Sequence, residues 1–169
     1  HNVVLTTNFD RLTETALLDY ENVHARVIAH EAMLNVIRIH DQKPTVIKVH
    51  RDMICSPIST DQQIKTPDKQ WQGIITPLAN QYQIIALGYG GNDSGLMKLL
   101  NTALSNAPHA KIYWCHRGNN LPKPAQDNPQ IVSVCIKSFD EFMYELRGKL
   151  NLPLYDDEFI KIANKRKDR

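Results

Sequence analysis

The chain has few cysteines, no long hydrophobic run and almost no excess of charge of either sign. Its three cysteines, Cys55, Cys115 and Cys135, form no C-x-x-C pair, which excludes a disulfide framework and a zinc site of the usual spacing. A reducing, cytoplasmic setting is therefore expected. No apolar run approaches the roughly 18 residues of a membrane-spanning helix, so no membrane partner is expected. The net charge of +2 comes from scattered basic residues, which argues against a direct nucleic-acid partner.

The chain also begins without an initiator Met or a signal-like segment. His1 leads almost at once into an apolar run at residues 3–5, which predicts a fragment of a longer protein. With 42% hydrophobic and 22% charged residues among 169, one globular domain is expected to fold without metals or disulfides. We predict that this domain covers residues 1–150. Residues 151–169, which end in a basic run, are predicted to be an extension or a linker to a further domain.

Apolar segments alternate along the chain with segments of helical periodicity. Thr45 to Val49, T-V-I-K-V, is a β-branched run between polar neighbours, the pattern of a strand buried on both faces. This alternation predicts an α/β fold, a mostly parallel, doubly wound, Rossmann-like sheet with helices on both faces. The other strands are predicted at residues 3–7, 27–30, 83–87, 111–115 and 131–136, with helices at 11–20, 71–82, around 96–104 and 139–150, and loops at 56–70 and up to residue 129.

Polar clusters directly follow three of the predicted strands. They are residues 6–10 (T-T-N-F-D), 50–52 (H-R-D) and 88–93 (G-Y-G-G-N-D). Ligands of parallel sheets bind beyond the carboxyl ends of the strands, so we expect the three turns to be neighbours in space. Each alone has an ordinary structural explanation, since Asn8 and Asp10 could cap a helix, His50 could be a structural histidine and residues 88–93 a tight turn.

In this order the three clusters resemble the motifs of the sirtuin superfamily, and most closely those of sirtuin-like domains in prokaryotic antiphage defence proteins. The first cluster resembles the family's T-[QT]-N-[IYF]-D turn. Lys48 to His50 resembles its strand-ending K-[LV]-H, and Leu87 to Asp93 its G-[TY]-S-x-x-D turn. The resemblance spans Val3 to about Cys135, and it implies a sirtuin-type fold that takes NAD as its substrate.

The resemblance also implies a role for each matching residue. Asn8 and Asp10 would hold the nicotinamide-side ribose and an attacking water, and His50 would act as a base on the ribose hydroxyls. An amide and a carboxylate suit the charge that develops on an oxocarbenium-like sugar, and an imidazole accepts a proton near neutral pH. Glycines would let backbone N–H groups approach a ribose or a phosphate. The implied NAD-binding positions are Thr6, Thr7, Gly88, Tyr89, Gly90 and Asp93.

Departures from the sirtuin pattern restrict the expected chemistry. The Gly-rich loop that cradles the pyrophosphate has no match, so the chain is expected to lack that loop and the first strand of the fold. Arg51 stands where deacylating sirtuins have Gly, and Gly90 stands where a Ser is usual. The interval between His50 and the next Gly-rich turn contains Cys55 as its sole cysteine, so no four-Cys zinc ribbon can form and no zinc is expected. These departures favour hydrolysis of NAD over deacylation of a protein.

Our leading hypothesis is an NAD glycohydrolase that acts as the effector of a prokaryotic defence protein. Its expected partners are NAD or ADP-ribose, further copies of itself and a fused or associated sensor domain. Two alternatives stay open. One is a catalytically inactive module that senses NAD or ADP-ribose or mediates oligomerisation, and the other is an NAD-dependent protein deacylase. A nucleotide-binding domain of another doubly wound family would be the better interpretation if the three turns did not converge.

Overall fold

A computed structural model of the chain describes residues 3–37, 42–51, 69–118, 121 and 123–152. Within these ranges the strands form two three-stranded sheets, and every pairing is parallel. The predicted parallel α/β, Rossmann-like architecture is therefore confirmed, with its strands divided between two sheets. Cys55, most of the predicted loop at 56–70 and residues 153–169 lie outside the described residues.

The first sheet joins β1 (Val3–Thr6), β2 (Arg26–Ile28) and β3 (Thr45–Lys48) in the order β1-β3-β2. All four residues of the central strand β3 are buried, as its apolar, β-branched run predicts for a strand covered on both faces. In the register of β1 and β3, Thr6 pairs with Lys48. Both strands therefore end at the same level, and the turns that follow them start side by side.

The second sheet joins β4 (Ile84–Ala86), β5 (Ile112–His116) and β6 (Ile131–Cys135) in the order β4-β5-β6. Within the described ranges, no strand pairs with the outer edge of β1 or with that of β4. Val4 of β1 and Ile85 of β4 are both exposed. Among the described residues, each sheet thus ends in a strand that has no neighbour on its outer side and carries a solvent-exposed apolar side chain.

The described helices are α1 (Leu12–Glu21), a 3-10 helix (Glu31–Val36), α2 (Lys69–Gln81), α3 (Ser94–Ser105), α4 (Lys123–Gln126) and α5 (Phe139–Lys149). None of them is long and apolar enough to cross a membrane. Helix α3 contributes most to the core, because its apolar residues recur on one face and pack against α2. All five positions that the periodicity predicts are buried, and Gly95 and Met97 are buried as well; the five are Leu96, Leu99, Leu100, Ala103 and Leu104.

Three local predictions need correction. The loop predicted to end at residue 70 ends earlier, because α2 begins at Lys69. The long loop before residue 129 contains the short helix α4, and the 3-10 helix at Glu31–Val36 was not predicted. Both missed elements are shorter than the roughly 11 residues over which helical periodicity becomes visible in a sequence.

Candidate functional site

The first polar turn, residues 6–10, connects β1 to α1, and two of its side chains, those of Asn8 and Asp10, are exposed. The backbone N–H of Asn8 donates to Thr6 Oγ1 at 3.0 Å, and the N–H of Leu12 donates to Asp10 Oδ1 at 3.0 Å. Asp10 therefore satisfies one free N–H group at the start of α1, as predicted, although the N-cap position itself is Arg11, which makes no capping bond.

The buried side chain of Lys48, at the end of β3, fixes this turn from the neighbouring strand. Lys48 is 0% exposed, and its Nζ lies 2.8 Å from Oε1 of Glu14, which is 9% exposed. The same ammonium donates to the backbone carbonyl of Asp10, and the N–H of Val49 donates to the carbonyl of Thr6 at 3.1 Å. The backbone of the first turn is thus held by contacts with the strand that leads to His50.

The His50 imidazole lies at the meeting point of the three turns. Its Nε2 is 2.6 Å from Oδ2 of Asp93, and the two side chains are 13% and 10% exposed. The ring of Phe9 is also nearby, with its centroid 6.4 Å from that of the imidazole. Phe9 belongs to the first turn, His50 to the second and Asp93 to the third, so the structure brings together the turns that the sequence places apart.

Asp93 combines two roles at the end of the third turn. As the N-cap of α3, it accepts through Oδ1 from the N–H groups of Gly95 and Leu96 at 2.9 and 3.0 Å. Burial alone would raise the pKa of Asp93, but His50 and these two backbone donors together hold that pKa below its ordinary value. Asp93 is therefore a carboxylate at neutral pH, with one oxygen on the helix and the other on the imidazole.

The third turn owes its shape to glycine and to one aromatic residue. Gly88 and Gly91 have φ of 66° and 71°, in the left-handed region that glycine adopts without steric conflict. Tyr89 packs against Trp114, with ring centroids 5.3 Å apart, and its hydroxyl donates to the backbone carbonyl of Asp93 at 3.3 Å. Burial and the neighbouring Asp93 charge raise the pKa of the Tyr89 hydroxyl. Tyr89 thus supports the turn, and its binding of NAD stays a prediction.

The predicted site residues divide into two groups. His50 and Asp93 are in direct contact, whereas Asn8 and Asp10 make no hydrogen bond to His50 within the described part of the chain. Thr6 uses its hydroxyl inside the first turn, Thr7 is half-buried and Gly90 is exposed. Sequence reasoning missed the contribution of Phe9 and the buried charges of Lys48 and Glu14. Lys48 had one visible signal, because a lysine within a fully buried strand requires a partner.

A family comparison bears directly on these turns. The profile of the SIR2-like domain matches residues 2–138, which covers all three turns and both sheets. The chain belongs to the SIR2-like domain family. Membership implies an NAD-binding, sirtuin-type function, in agreement with the resemblance of the three motifs. A search of the curated proteins finds no match to the chain.

This SIR2-like domain has a surface cavity beside the third turn. The cavity has a volume of 720 Å³, which is within the usual range for small-molecule sites. It extends along one face of α3, from the third turn to Ser105 at the end of the helix, and is lined by polar side chains, Met97 and one cation, Lys98. Neither His50 nor Asp93 is among the residues that line it. The lining residues are Gly91, Asn92, Ser94, Met97, Lys98, Asn101, Thr102 and Ser105.

Within the described ranges of this SIR2-like domain, no group of three or more His, Cys, Asp or Glu side chains could hold a metal ion. The polar side chains of the three turns include an imidazole, carboxylates and amides, which suit proton transfer and sugar binding.

Proposed function

We propose that this SIR2-like domain hydrolyses the nicotinamide–ribose bond of NAD. The observation that carries the proposal is the 2.6 Å contact between His50 Nε2 and Asp93 Oδ2 at the junction of three turns. A histidine that is held by a carboxylate is oriented as a base, and its positive charge is stabilised once it accepts a proton. Such a pair at the carboxyl ends of parallel strands occupies the ligand-binding edge of this class of fold.

The proposed reaction divides its tasks between the turns. In the reaction the bond between ribose C1′ and the nicotinamide nitrogen breaks, and nicotinamide leaves with the electron pair. The water oxygen bonds to C1′, and the water proton passes to a base. We assign the orientation of water and ribose to Asn8 and Asp10, whose exposed positions leave them accessible to a substrate. His50 acts on the ribose hydroxyls, and Asp93 holds the imidazole.

We further propose that the domain works as the effector of a prokaryotic defence protein in the cytoplasm. A fused or associated sensor domain would then control it, because uncontrolled loss of NAD would harm the cell that carries it. Support for hydrolysis over deacylation comes from the sequence between His50 and Gly88, which has too few cysteines for a zinc ribbon.

The test is NAD consumption by the full chain, with release of nicotinamide and ADP-ribose followed by chromatography. Replacement of a general base typically lowers turnover by about 10²- to 10⁴-fold, so we expect a loss of this size in His50→Ala. His24→Ala is the matched control, because His24 is exposed and outside the three turns. Equal turnover in the wild-type protein and in His50→Ala would contradict the assignment of the base.

A second function is favoured by the packing of His50 itself. The imidazole is 13% exposed and its Nε2 is already engaged by Asp93, which also suits a turn that binds NAD or ADP-ribose without cleaving it. Calorimetry with ADP-ribose and NAD separates the two functions. Binding of both ligands with no release of nicotinamide would identify a sensing module.

A further inference from the structure

The backbone conformation directly after His50 is unusual for a residue with a side chain. Arg51 has φ of 65°, in the left-handed region, which disfavours residues with a Cβ by roughly 1–2 kcal/mol. The N–H of Arg51 donates to the carbonyl of Lys48 at 3.1 Å, which closes a tight turn that contains His50. The position of the imidazole therefore depends on whatever holds Arg51 in this conformation.

The carboxylate of Glu31 contacts Arg51 from the 3-10 helix. Its Oε2 accepts from Nη2 of Arg51 at 3.0 Å and from Nε at 3.3 Å. Glu31 is 6% exposed, so the pair is shielded from solvent on the carboxylate side. Hydrogen bonds between two charged groups are about twice as strong as neutral ones, and the guanidinium, with two donors on one oxygen, has little freedom to turn.

Glu31 also connects the turn to the helical layer that carries Asp93. Its Oε1 accepts from the indole Nε1 of Trp71 at 3.3 Å, and Trp71 is a buried residue of α2. Helix α2 packs against α3, of which Asp93 is the N-cap. One carboxylate thus links the chain after His50 to the framework that positions the partner of His50.

The charge state of Glu31 favours its contact with the Arg51 guanidinium. Burial alone would raise the pKa of Glu31, but its own backbone N–H, Arg51 and Trp71 together hold that pKa below its ordinary value. His30 is the other titratable group beside it, with Nδ1 3.4 Å from Oε2. Glu31 is therefore ionised at neutral pH, where Arg51 needs an anionic partner.

We propose that Glu31 is a positioning residue for His50, because it holds Arg51 in the left-handed turn that keeps the imidazole beside Asp93. The role in catalysis rests on the proposed function of His50, whereas the geometric claim does not. Since glycine adopts this backbone conformation without strain, Arg51→Gly removes the need for the clamp. That substitution makes the proposal testable by rescue.

The test follows the titration of Asp93 by NMR in the full chain, through its carboxyl carbon and the amide signals of Gly95 and Leu96. His50→Ala is the reference, because removal of the imidazole raises the pKa of Asp93. We expect Glu31→Gln to raise the pKa of Asp93 as well, by on the order of 0.5–1 pH unit. The double variant Glu31→Gln/Arg51→Gly is expected to return to the wild-type titration.

A second pair of variants decides the matter if Glu31→Gln does not fold. Arg51→Gly should keep the wild-type titration of Asp93, whereas Arg51→Ala should shift it upward, since only alanine is strained at this φ. A merely electrostatic effect of Glu31 would persist in the double variant. An unshifted Asp93 in Glu31→Gln or in Arg51→Ala, or a double variant that stays shifted, overturns the proposal. No NAD turnover is needed, so this result is independent of the test of the proposed function.

Discussion

The turn after β1 and the turn after β4 have the same plan, a strand that runs into a helix through a short polar segment, but different supports. The third turn is stabilised by its own residues, because Asp93 caps α3 with two hydrogen bonds and Gly88 and Gly91 supply the left-handed backbone. In the first turn the N-cap residue of α1, Arg11, makes no capping bond, and Asp10 accepts from one N–H group of the helix. The backbone of this turn is held by Lys48, which lies 38 residues away in sequence from Asp10.

The helices that follow the two turns differ in the same way. Helix α3 buries seven residues, whereas Glu14 is the one buried residue of α1, all of which is described. A helix with a wide apolar face fixes its own N-terminus by packing. A helix with little burial needs a specific bond to another element, and the Lys48–Glu14 ion pair is that bond.

The largest effect is expected from Lys48→Met, which breaks the support of the first turn. Removal of one partner leaves the buried Glu14 charge without compensation, and such losses typically lower the free energy of unfolding by about 3–5 kcal/mol. Equilibrium unfolding in urea measures the change. The free energy of unfolding should fall much less in the double variant Lys48→Met/Glu14→Leu, because both buried charges are removed. A double variant less stable than Lys48→Met would show that the pair does not support α1.

An intermediate effect is expected from Asp93, which supports the third turn. Asp93→Asn retains a capping oxygen but loses the charge beside His50. We therefore expect the free energy of unfolding to fall by about 1.5–3 kcal/mol at neutral pH. Asp93→Ala also loses the cap and should cost about 1 kcal/mol more. Urea unfolding of the wild type, Asp93→Asn and Asp93→Ala at pH 7 measures these differences in the free energy of unfolding.

The pH dependence of the same variants tests the ionisation of Asp93. Because its folded pKa is lowered, the carboxylate contributes fully above its unfolded pKa, near 4. The contribution is lost as the pH falls through the lower folded value. The stability difference between wild type and Asp93→Asn should therefore shrink between roughly pH 5 and pH 2. A constant difference over this range would contradict a lowered pKa for Asp93.

The smallest effect is expected from Gly88→Ala, which tests whether the third turn depends on its own backbone. At φ of 66° a Cβ costs about 1–2 kcal/mol, although no atom lies within 4 Å of it. Gly73→Ala is the matched control. A Cβ added at Gly73 also meets open space, but Gly73 lies inside α2. That change should stabilise the protein by about 0.5–1 kcal/mol. Thermal unfolding of both variants should show melting temperatures that move in opposite directions.

The strands could be located from the sequence because each is a short apolar run between polar segments, although among them β3 alone is buried at every position. For β3 the predicted strand at 45–49 and the observed Thr45–Lys48 differ by one residue. The division into two sheets was not predictable in this way, since hydrophobic periodicity reports burial and not which strand edges are paired. The 3-10 helix that carries Glu31 was missed for a related reason, as six residues show no period.

For the site, the order of the three turns predicted their convergence, but not the contacts within it. We expected His50 to work beside Asn8 and Asp10, and the structure pairs it with Asp93 and Phe9. Motifs predict which residues gather at one edge of a sheet, whereas the partner of each side chain depends on distances that no motif contains. The buried carboxylates of Glu14 and Glu31 had no signal in the sequence, because their partners are 34 and 20 residues away.

The open edges of β1 and β4 have a practical consequence for work with this chain in solution. Among the described residues, Val4 and Ile85 lie exposed on strands with no neighbour on their outer side, and such edges can pair with extended segments of other molecules. We therefore expect self-association of the folded protein to increase with its concentration. A lysine at either position would repel incoming strands and leave the cluster around His50 untouched.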